Sequence, residues 1–439
     1  MQQKRTFWEM TGYQWLVLFA AWLGWGFDIF DGLLFNYVAS NCVPTLLHVP
    51  IGTPRATQLT LQWVGITASI LLLGWALGGT LFGKVADKVG RTKTLLLTML
   101  LYSIGTAACA FAPNLPFLIF CRFIASLGIG GEWAAGAAMV AEVVPEKRRV
   151  EAGALLYTSA PVGLFLATFV NLQISGKWLK DSPETSWRYV FLCGLIPAAV
   201  AFILRLFVKE PERWKAAKGL PPRIAELFTP QLRKSTLSGF LMALTALLTW
   251  WSVSNFIPTI AGGLAKGRAV LTHLDKSGTA ALVEGWKAWA TNAFNLGGLI
   301  GTLLTVPASK FLGRRAMFGI YFFLSAIALF AAFRLDLTDE ARLMMYFPIG
   351  LTVFGVFGSF TYYLPELFPT RLRGTGAGFC YNVGRVITAA GPLLIVSAAT
   401  SISPVLSAMN ALFYVGFVPL IGLCLLPLVV ETKGRVLED

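Results

Sequence analysis

Residues 11–44 read TGYQWLVLFAAWLGWGFDIFDGLLFNYVASNCVP, and their only charges are Asp28 and Asp31. The stretch exceeds the roughly 20 apolar residues that a membrane-spanning helix needs. A charge at mid-bilayer costs about 2.5–3.5 kcal/mol by insertion scales, so intramembrane acids are functional by default. The stretch therefore predicts a spanning helix that carries two functional carboxylates.

Similar charge-poor runs recur along all 439 residues. Charged residues make up 13% of the chain and hydrophobic residues 56%, with a mean hydropathy of +0.67; soluble domains carry about 25% charged residues. Long apolar runs in lipid favour helices and exclude a barrel. We predict an all-α integral membrane protein with twelve helices, at about 13–40, 60–86, 93–111, 115–143, 150–175, 188–208, 235–260, 281–308, 314–333, 341–368, 373–399 and 404–430.

The net charge of +14 agrees with a positive-inside bias. With a cytoplasmic N-terminus, the predicted inside segments hold most of the Lys and Arg, so both termini are expected in the cytoplasm. Nucleic acid is not an expected partner, whereas the lipid bilayer is. The first apolar segment is too long for a cleavable signal. The chain has no N-x-S/T site, which favours a bacterial inner membrane.

The chain repeats itself. AEVVPEKRRVEAGALLY (141–157) aligns with PELFPTRLRGTGAGFCY (365–381), and GKVADKVGRTK (83–93) aligns with VPASKFLGRRA (306–316) at nearly the same offset. This predicts two six-helix halves, 1–208 and 235–439, joined by a cytoplasmic linker, 209–234. Repeats of this kind place a substrate site at mid-membrane and permit alternating access.

These motifs carry a resemblance that covers the whole chain. The GxxxDKxGR loop, the P-E-x-F-P-x-x-x-R-G stretch and the terminal ETKG resemble signatures of the major facilitator superfamily. The resemblance implies a twelve-helix secondary transporter. In the second copy of the loop Lys310 stands where Asp87 stands in the first, so we do not expect a reciprocal latch there.

Within the superfamily the chain is similar to two groups of proton-coupled carboxylate symporters, and the residues leave both open. GIGGEW (128–133) is similar to the sialate and monocarboxylate group. The aromatic-acid group carries D-G-x-D in its first helix, and here Ile29 replaces the glycine. Residues that match this group are Asp28, Asp31, Arg122, Glu142, Arg373 and Arg385.

Three acids are candidates for proton coupling. Asp28 and Asp31 share a helix face, and desolvation and mutual repulsion oppose ionisation of both. Glu132 lies near mid-membrane among glycines that suit close helix packing. The alternative for Asp28 or Asp31 is a structural ion pair with an arginine.

Substrate binding is expected at two arginines, because a guanidinium matches a carboxylate in a bidentate way. Arg385 should meet either the substrate or a carboxylate of the first half. Arg122 lies about 10 Å below the outer face by helix rise, at the depth of Asp31, so a structural pair is the alternative. Further candidates are Tyr381, Asn382, Asn255 and Asn295.

Charges at the cytoplasmic helix ends look like an intracellular latch, as in the superfamily. Asp87 is expected to cap the N-terminus of predicted helix 11, where the helix dipole favours an anion. The alternative is that these charges only set topology. The gating candidates are Asp87, Arg91, Glu142, Arg149, Glu366 and Arg373.

The sequence thus predicts a proton-coupled symporter of a small organic anion, a carboxylate above all, acting as a monomer. The alternatives are an exporter or antiporter of amphipathic compounds and a transporter-like nutrient sensor. An enzyme is not expected: the chain has two histidines, His48 and His273, both outside, and no metal cluster. We therefore expect no catalytic residue, metal or cofactor.

Overall fold

The computed structural model describes residues 10–145, 148–195, 199–200, 203, 223–369, 372–398 and 403–434. These residues form twelve helical rods, several broken by a single turn. They are α1 Gly12–Leu46, α2 Pro54–Val89, α3 Arg91–Cys109, α4 Leu115–Val143, α5 Arg149–Tyr157 with Ser159–Gln173 and a π-helical turn Ile174–Trp178, α6 Pro183–Cys193, α7 Arg233–Ser254 with Ile257–Leu271, α8 Lys276–Leu312, α9 Arg314–Arg334, α10 Asp339–Met344 through Phe360–Glu366, α11 Arg373–Thr388 with Ala390–Ala398, and α12 Pro404–Val415 with Phe417–Cys424.

Ten of these rods are long and apolar enough to cross a membrane. α8 has 37 residues but is more polar, and α6 is described over 11. Large apolar side chains cover the outside of the bundle: Leu77, Phe120 and Phe323 are each more than half exposed. Such a surface suits lipid rather than water.

Several predicted helices begin too late or end too early. α1 ends at Leu46 instead of about 40, α2 begins at Pro54 instead of 60, α6 begins at Pro183 instead of 188, α7 continues to Leu271 instead of 260, and α8 begins at Lys276 instead of 281. The extra turns contain polar residues and so lie outside the apolar runs that define the predicted helices. Continuing the helix through these turns satisfies their backbone hydrogen bonds whether they lie in lipid or in water.

Side-chain caps fix where several rods begin. Thr11 Oγ1 accepts from Gln14 N at 3.3 Å and Gln14 Oε1 accepts from Thr11 N at 2.8 Å, which is a capping box at the start of α1. Asn114 Oδ1 accepts from Phe117 N at 3.0 Å at the start of α4. Asp275 caps α8 in the same way, with Gly278 N at 2.7 Å.

Glycines allow α4 to touch its neighbours backbone to backbone. A Cβ atom at Gly130 would lie 2.1 Å from the Trp75 carbonyl oxygen of α2, and one at Gly128 would lie 2.6 Å from the Thr98 carbonyl oxygen of α3. Small residues in membrane helices permit such contacts. The glycines around Glu132 therefore form a packing seam that fixes α4 against α2 and α3.

Two lines of contact join α1–α6 to α7–α12. α5 packs on α8, where Thr168 Oγ1 and Thr291 Oγ1 are 3.2 Å apart. α2 packs on α11, where Ser69 Oγ donates to the Ala389 carbonyl oxygen at 2.6 Å. The two cavities discussed below lie along these lines, whereas the buried Asp31 cluster lies among α1, α3 and α4.

The seam generates a stability prediction. Gly130→Ala should lower stability by about 1–3 kcal/mol, because the added methyl group overpacks a backbone contact. Gly267→Ala is the matched control: a Cβ atom there meets nothing within 4 Å, so stability should stay equal or rise slightly. Melting of purified protein in detergent, followed by tryptophan fluorescence, measures both. Equal melting temperatures would contradict the seam.

Candidate functional site

Asp31 lies in a buried cluster within the first six helices, with its side chain 2% exposed. Thr106 Oγ1 of α3 donates to Asp31 Oδ2 at 2.6 Å. Arg122 of α4 donates from Nη1 to the Asp31 backbone oxygen at 3.0 Å and from Nη2 to the Gly32 backbone oxygen. Arg122 and Asp31 thus meet at one depth, as predicted, but the guanidinium binds the α1 backbone and not the carboxylate directly.

This arrangement leaves the Asp31 carboxylate able to change its charge. Two hydrogen bonds of Arg122 end on backbone oxygens, and Nη1 also lies 3.4 Å from Thr106 Oγ1. Backbone oxygens stay acceptors whether or not Asp31 holds a proton. Protonation of Asp31 therefore does not leave a buried arginine without partners, which is the usual cost of neutralising one member of a buried ion pair.

The two other candidate acids are also buried. Asp28 is 3% exposed and Glu132 is 2% exposed. Successive residues of an α-helix are turned by about 100° around its axis. Around α1, Asp28 therefore lies between the direction of Asp31 and the directions of Trp25 and Ile29. Trp25 and Ile29 line a central cavity. Asp28 thus lies between Asp31 and that cavity around the helix.

Arg385 of α11 points into this first cavity and is 3% exposed. Its guanidinium carbon lies 4.9 Å from the ring centroid of Trp75 and 4.6 Å from that of Tyr381, and Nη1 donates to Asn382 Oδ1 at 3.2 Å. Cation–π contacts of this kind hold a cation without neutralising it. The remaining walls are largely aromatic: Trp25, Tyr157, Trp250, Trp251, Phe354 and Phe357.

A second, more polar cavity lies between α1, α5, α7 and α8. Asn295 lines it together with Asn36, Tyr37, Ser254 and Thr291. Both cavities are narrow, about 20 Å³ for the first and about 10 Å³ for the second, which is room for about one water molecule each. The structure therefore shows the central region closed around its polar groups.

The predicted substrate residues divide among four places. Tyr381 and Arg385 share the aromatic cavity, with Asn382 beside the guanidinium, and Asn295 lies in the polar cavity. Asn255 is a brace instead: its Oδ1 accepts from Asn36 Nδ2 at 2.8 Å, joining α7 to α1. Arg122 belongs to the Asp31 cluster and does not line either cavity, and it bonds backbone oxygens instead of forming the direct ion pair that was the structural alternative. Its contact with substrate stays a prediction.

Of the predicted gating residues, Glu366 has a described side chain. It forms an ion pair with Arg314, with Nη2 to Oε1 at 2.7 Å and Nε to Oε2 at 3.1 Å. The side chains of Asp87, Arg91, Glu142, Arg149 and Arg373 lie outside the described part of the chain. The structure thus connects the P-E-x-F-P motif to the second copy of the glycine-arginine loop.

Glu431 stabilises the start of α9. Its carboxylate accepts from the backbone N–H groups of Arg314 at 3.0 Å and Arg315 at 3.1 Å. Partial burial raises its pKa, but bonds from the N–H groups of Arg314, Lys433 and Arg315 outweigh burial and hold the pKa below its usual value. The terminal ETKG motif therefore supplies the anion at this helix N-terminus.

Lys310 makes a contact that its loop position did not predict. Its Nζ lies 2.6 Å from Glu151 Oε1 of α5, so the pair joins the two sets of six helices. Lys310 is 46% exposed and Glu151 15%. The lysine that replaces the acid in the second loop thus takes part in a cross-contact of its own.

Two further buried charges were not predicted at all. Glu284 and Lys287 of α8 are 3% and 1% exposed, and Lys287 Nζ lies 2.8 Å from Glu284 Oε1. In the sequence these two charges stand just before the charge-free run 288–309 and therefore look like charges at the membrane boundary. Their i,i+3 spacing inside a 37-residue helix is the signal that could have found them.

The chain is similar to a family of known proteins. A family model described as Major Facilitator Superfamily matches residues 14–392. The probable 4-methylmuconolactone transporter of Cupriavidus pinatubonensis is 26% identical and covers 100% of this chain and 93% of its own. The gentisate transporter of Corynebacterium glutamicum is 27% identical, covering 86% of this chain and 80% of its own.

The sialic acid transporter NanX of Escherichia coli is also 27% identical, with 86% of this chain and 85% of its own length covered. Among solved structures, a D-xylose–proton symporter superimposes with a TM-score of 0.70 at 18% identity, covering 97% of this chain and 100% of that chain. The structural likeness shows the fold, and two of these relatives are transporters of organic acids by name, gentisate and sialic acid.

The Asp31 cluster generates a prediction. Thr106→Val should keep Asp31 protonated to a pH about one to two units higher, because the charged carboxylate loses a hydrogen bond worth about 1.5–3 kcal/mol. Thr98→Val is the matched control, since Thr98 Oγ1 bonds within its own helix, to the Leu95 oxygen. Infrared titration of the carboxyl band, assigned with Asp31→Asn, measures the shift. An identical titration in both variants would show that Thr106 does not stabilise the charged form.

Proposed function

We propose that this chain, which belongs to the major facilitator superfamily and is a multi-pass membrane transporter, couples proton entry to uptake of a small organic carboxylate. The observation that carries the proposal is Arg385, whose guanidinium is buried in an aromatic cavity on the line where α2 meets α11. A guanidinium keeps its charge when buried and offers a planar fork to a carboxylate.

The walls around Arg385 suit a substrate with a flat apolar body. Trp75 and Trp251 meet edge to face at 5.3 Å, and Tyr157 stacks on Phe357 at 6.0 Å. Gentisate and sialic acid, which two relatives carry by name, are both carboxylic acids. In this chain the carboxylate would bind Arg385 with help from Tyr381 and Asn382, and Asn295 would bind an uncharged polar group of the same molecule.

Asp31 is the favoured proton site of the transport cycle. Its surroundings keep Arg122 bonded to backbone oxygens in both charge states, and Thr106 holds the carboxylate in place. Asp28 would pass protons between Asp31 and the central cavity, since it lies between the two around α1. Glu132 is the second candidate, buried beside the α4 glycine seam.

The transport cycle we propose is alternating access between two repeats, 1–208 and 235–439, linked by 209–234. Both termini lie in the cytoplasm, the protein works as a monomer, and a bacterial inner membrane is the favoured location. At the cytoplasmic end the latch consists of Asp87, Arg91, Glu142, Arg149 and Arg373, together with Glu366. The Lys310–Glu151 pair adds a contact at the same end.

Neutralising Asp28 or Asp31 should abolish coupling to protons without necessarily abolishing substrate exchange. Asp28→Asn or Asp31→Asn should abolish proton-driven accumulation while counterflow exchange survives in at least one variant, because exchange needs no net proton movement. Asp336→Asn, an exposed loop acid, is the control and should behave like the parent. The measurement is uptake into proteoliposomes with and without an imposed proton gradient. Parental accumulation in both site variants would remove the acids from coupling.

Arg385 should be sensitive to geometry as well as charge. Arg385→Lys keeps the charge but loses the fork, so binding of a carboxylate should weaken about tenfold or more even at full proton gradient, and Arg385→Ala should weaken it further. Arg334→Lys is the control, since Arg334 also lies over a ring, Phe413, at 5.6 Å but is exposed. Titrations of a carboxylate panel, gentisate included, at several pH values measure the effect.

The titrations also decide between the proposal and an exporter of amphipathic compounds. A substrate that needs no guanidinium would bind Arg385→Ala as tightly as the parent at every pH. That result would overturn the carboxylate site while leaving the fold and the transporter assignment intact.

A further inference from the structure

The Glu284–Lys287 pair is bonded to the other half of the molecule. Lys287 Nζ donates to Glu284 Oε1 at 2.8 Å, to Ser40 Oγ at 2.5 Å and to the Tyr37 backbone oxygen at 3.3 Å. An ammonium group has three donors, and all three are used here. Two of them reach α1, so the closed arrangement fully satisfies this charge only while α1 and α8 stay together.

Glu284 makes the matching contact to α5. Its Oε2 accepts from Asn171 Nδ2 at 2.6 Å, while Oε1 takes the lysine bond. A Cβ atom at Gly176 would lie 2.9 Å from the Glu284 Cβ atom, so α5 approaches closely where the pair sits. Gly262 of α7 packs on the lysine side chain, since a Cβ atom there would lie 3.2 Å from Lys287 Cε. The cluster therefore joins α1, α5, α7 and α8 at one end of the bundle.

This end is opposite to the one that carries Lys310. Lys287 and Lys310 are 23 residues apart on α8, a rise of about 34 Å in an α-helix. Both lysines contact the first six helices, and Thr168 and Thr291 touch between them. The α5–α8 line of contact is thus held by charged groups at both ends, and the polar cavity lies between them.

We propose that Glu284 and Lys287, with Ser40, Tyr37 and Asn171, form the outer gate of the transport pathway. The inference rests on the proposed alternating access but on neither the substrate nor the proton. When the outer end opens, α8 leaves α1 and α5, and three hydrogen bonds between the halves break. The Lys287–Glu284 bond lies within one helix and persists, so the pair enters the water-filled opening already neutralised.

The test uses a reporter beneath the gate. Leu164 of α5 lines the polar cavity and is 3% exposed. In a chain whose six native cysteines are replaced, Leu164→Cys is labelled with a membrane-impermeant maleimide in right-side-out vesicles, without substrate or proton gradient. The gate variant is Ser40→Ala with Asn171→Ala, which removes two bonds between the halves and keeps the charged pair. Lys310→Gln is the matched variant at the opposite end.

The gate variant should be labelled from outside at least about tenfold faster. Losing one hydrogen bond to a charged group raises the population of the outward-open form by about that factor. Lys310→Gln should not accelerate outside labelling, and in inside-out vesicles the order should reverse. The single variants Ser40→Ala and Asn171→Ala should be labelled at rates between those of the parent and the double variant. If a melting test shows that the double variant does not fold, the single variants decide the outcome. Parental outside labelling in the folded variants, or faster labelling only from the Lys310 face, would overturn the gate.

The outcome is separable from the proposed transport activity. Labelling reports opening of the closed structure whether or not a carboxylate or a proton is carried. An unchanged rate with normal proton-driven uptake would reject the gate alone. A faster rate with no uptake of any carboxylate would support the gate and count against the proposed substrate class.

Discussion

A charge that leaves water for the interior of a membrane protein must keep its hydrogen bonds, and this requirement organises the centre of the chain. Arg122 satisfies it with backbone oxygens of α1, and Lys287 satisfies it with Glu284, Ser40 and the Tyr37 oxygen. Such bonds to fixed partners tie α4 and α8 to particular turns of α1. Arg122 therefore fixes α4 against α1 within the first six helices, whereas the bonds of Lys287 to Ser40 and Tyr37 hold α8 against α1 and favour the closed form.

Arg385 has surroundings of another kind. Its guanidinium rests against the faces of Trp75 and Tyr381 and donates to Asn382, and all three of these groups are uncharged. Contacts of this kind hold a cation without cancelling its charge, which suits the binding and release of an anionic ligand. The same reasoning distinguishes Asp31, whose carboxylate is held by a single hydroxyl group. Anchored cations and adjustable groups therefore occupy different places in one bundle.

A feature of this structure could be predicted from the sequence where it depends on residues close together in the chain, and not where it depends on residues far apart. The twelve helices follow from charge-poor runs, and α4 was predicted with its observed ends, 115 and 143, because Asn114 precedes the apolar run and Pro145 closes it. The common depth of Asp31 and Arg122 follows from helix rise. The choice of backbone oxygens by Arg122 does not, because it depends on how closely α4 approaches α1. The partners of Lys287 lie 247 and 250 residues away, and no local pattern encodes that distance.

The two ends of α8 are unequal in strength. Lys310 is nearly half exposed, and an ion pair in that setting contributes about 0–1 kcal/mol. The bonds of Lys287 to Ser40 and Tyr37 are buried, and hydrogen bonds to charged groups are worth about 1.5–3 kcal/mol each. From these contacts alone the closed form should open more readily at the Lys310 end. A carrier must visit both open forms, so other contacts must restore the balance, and the charged GKVADKVGR loop at the Lys310 end is the sequence feature best suited to do so.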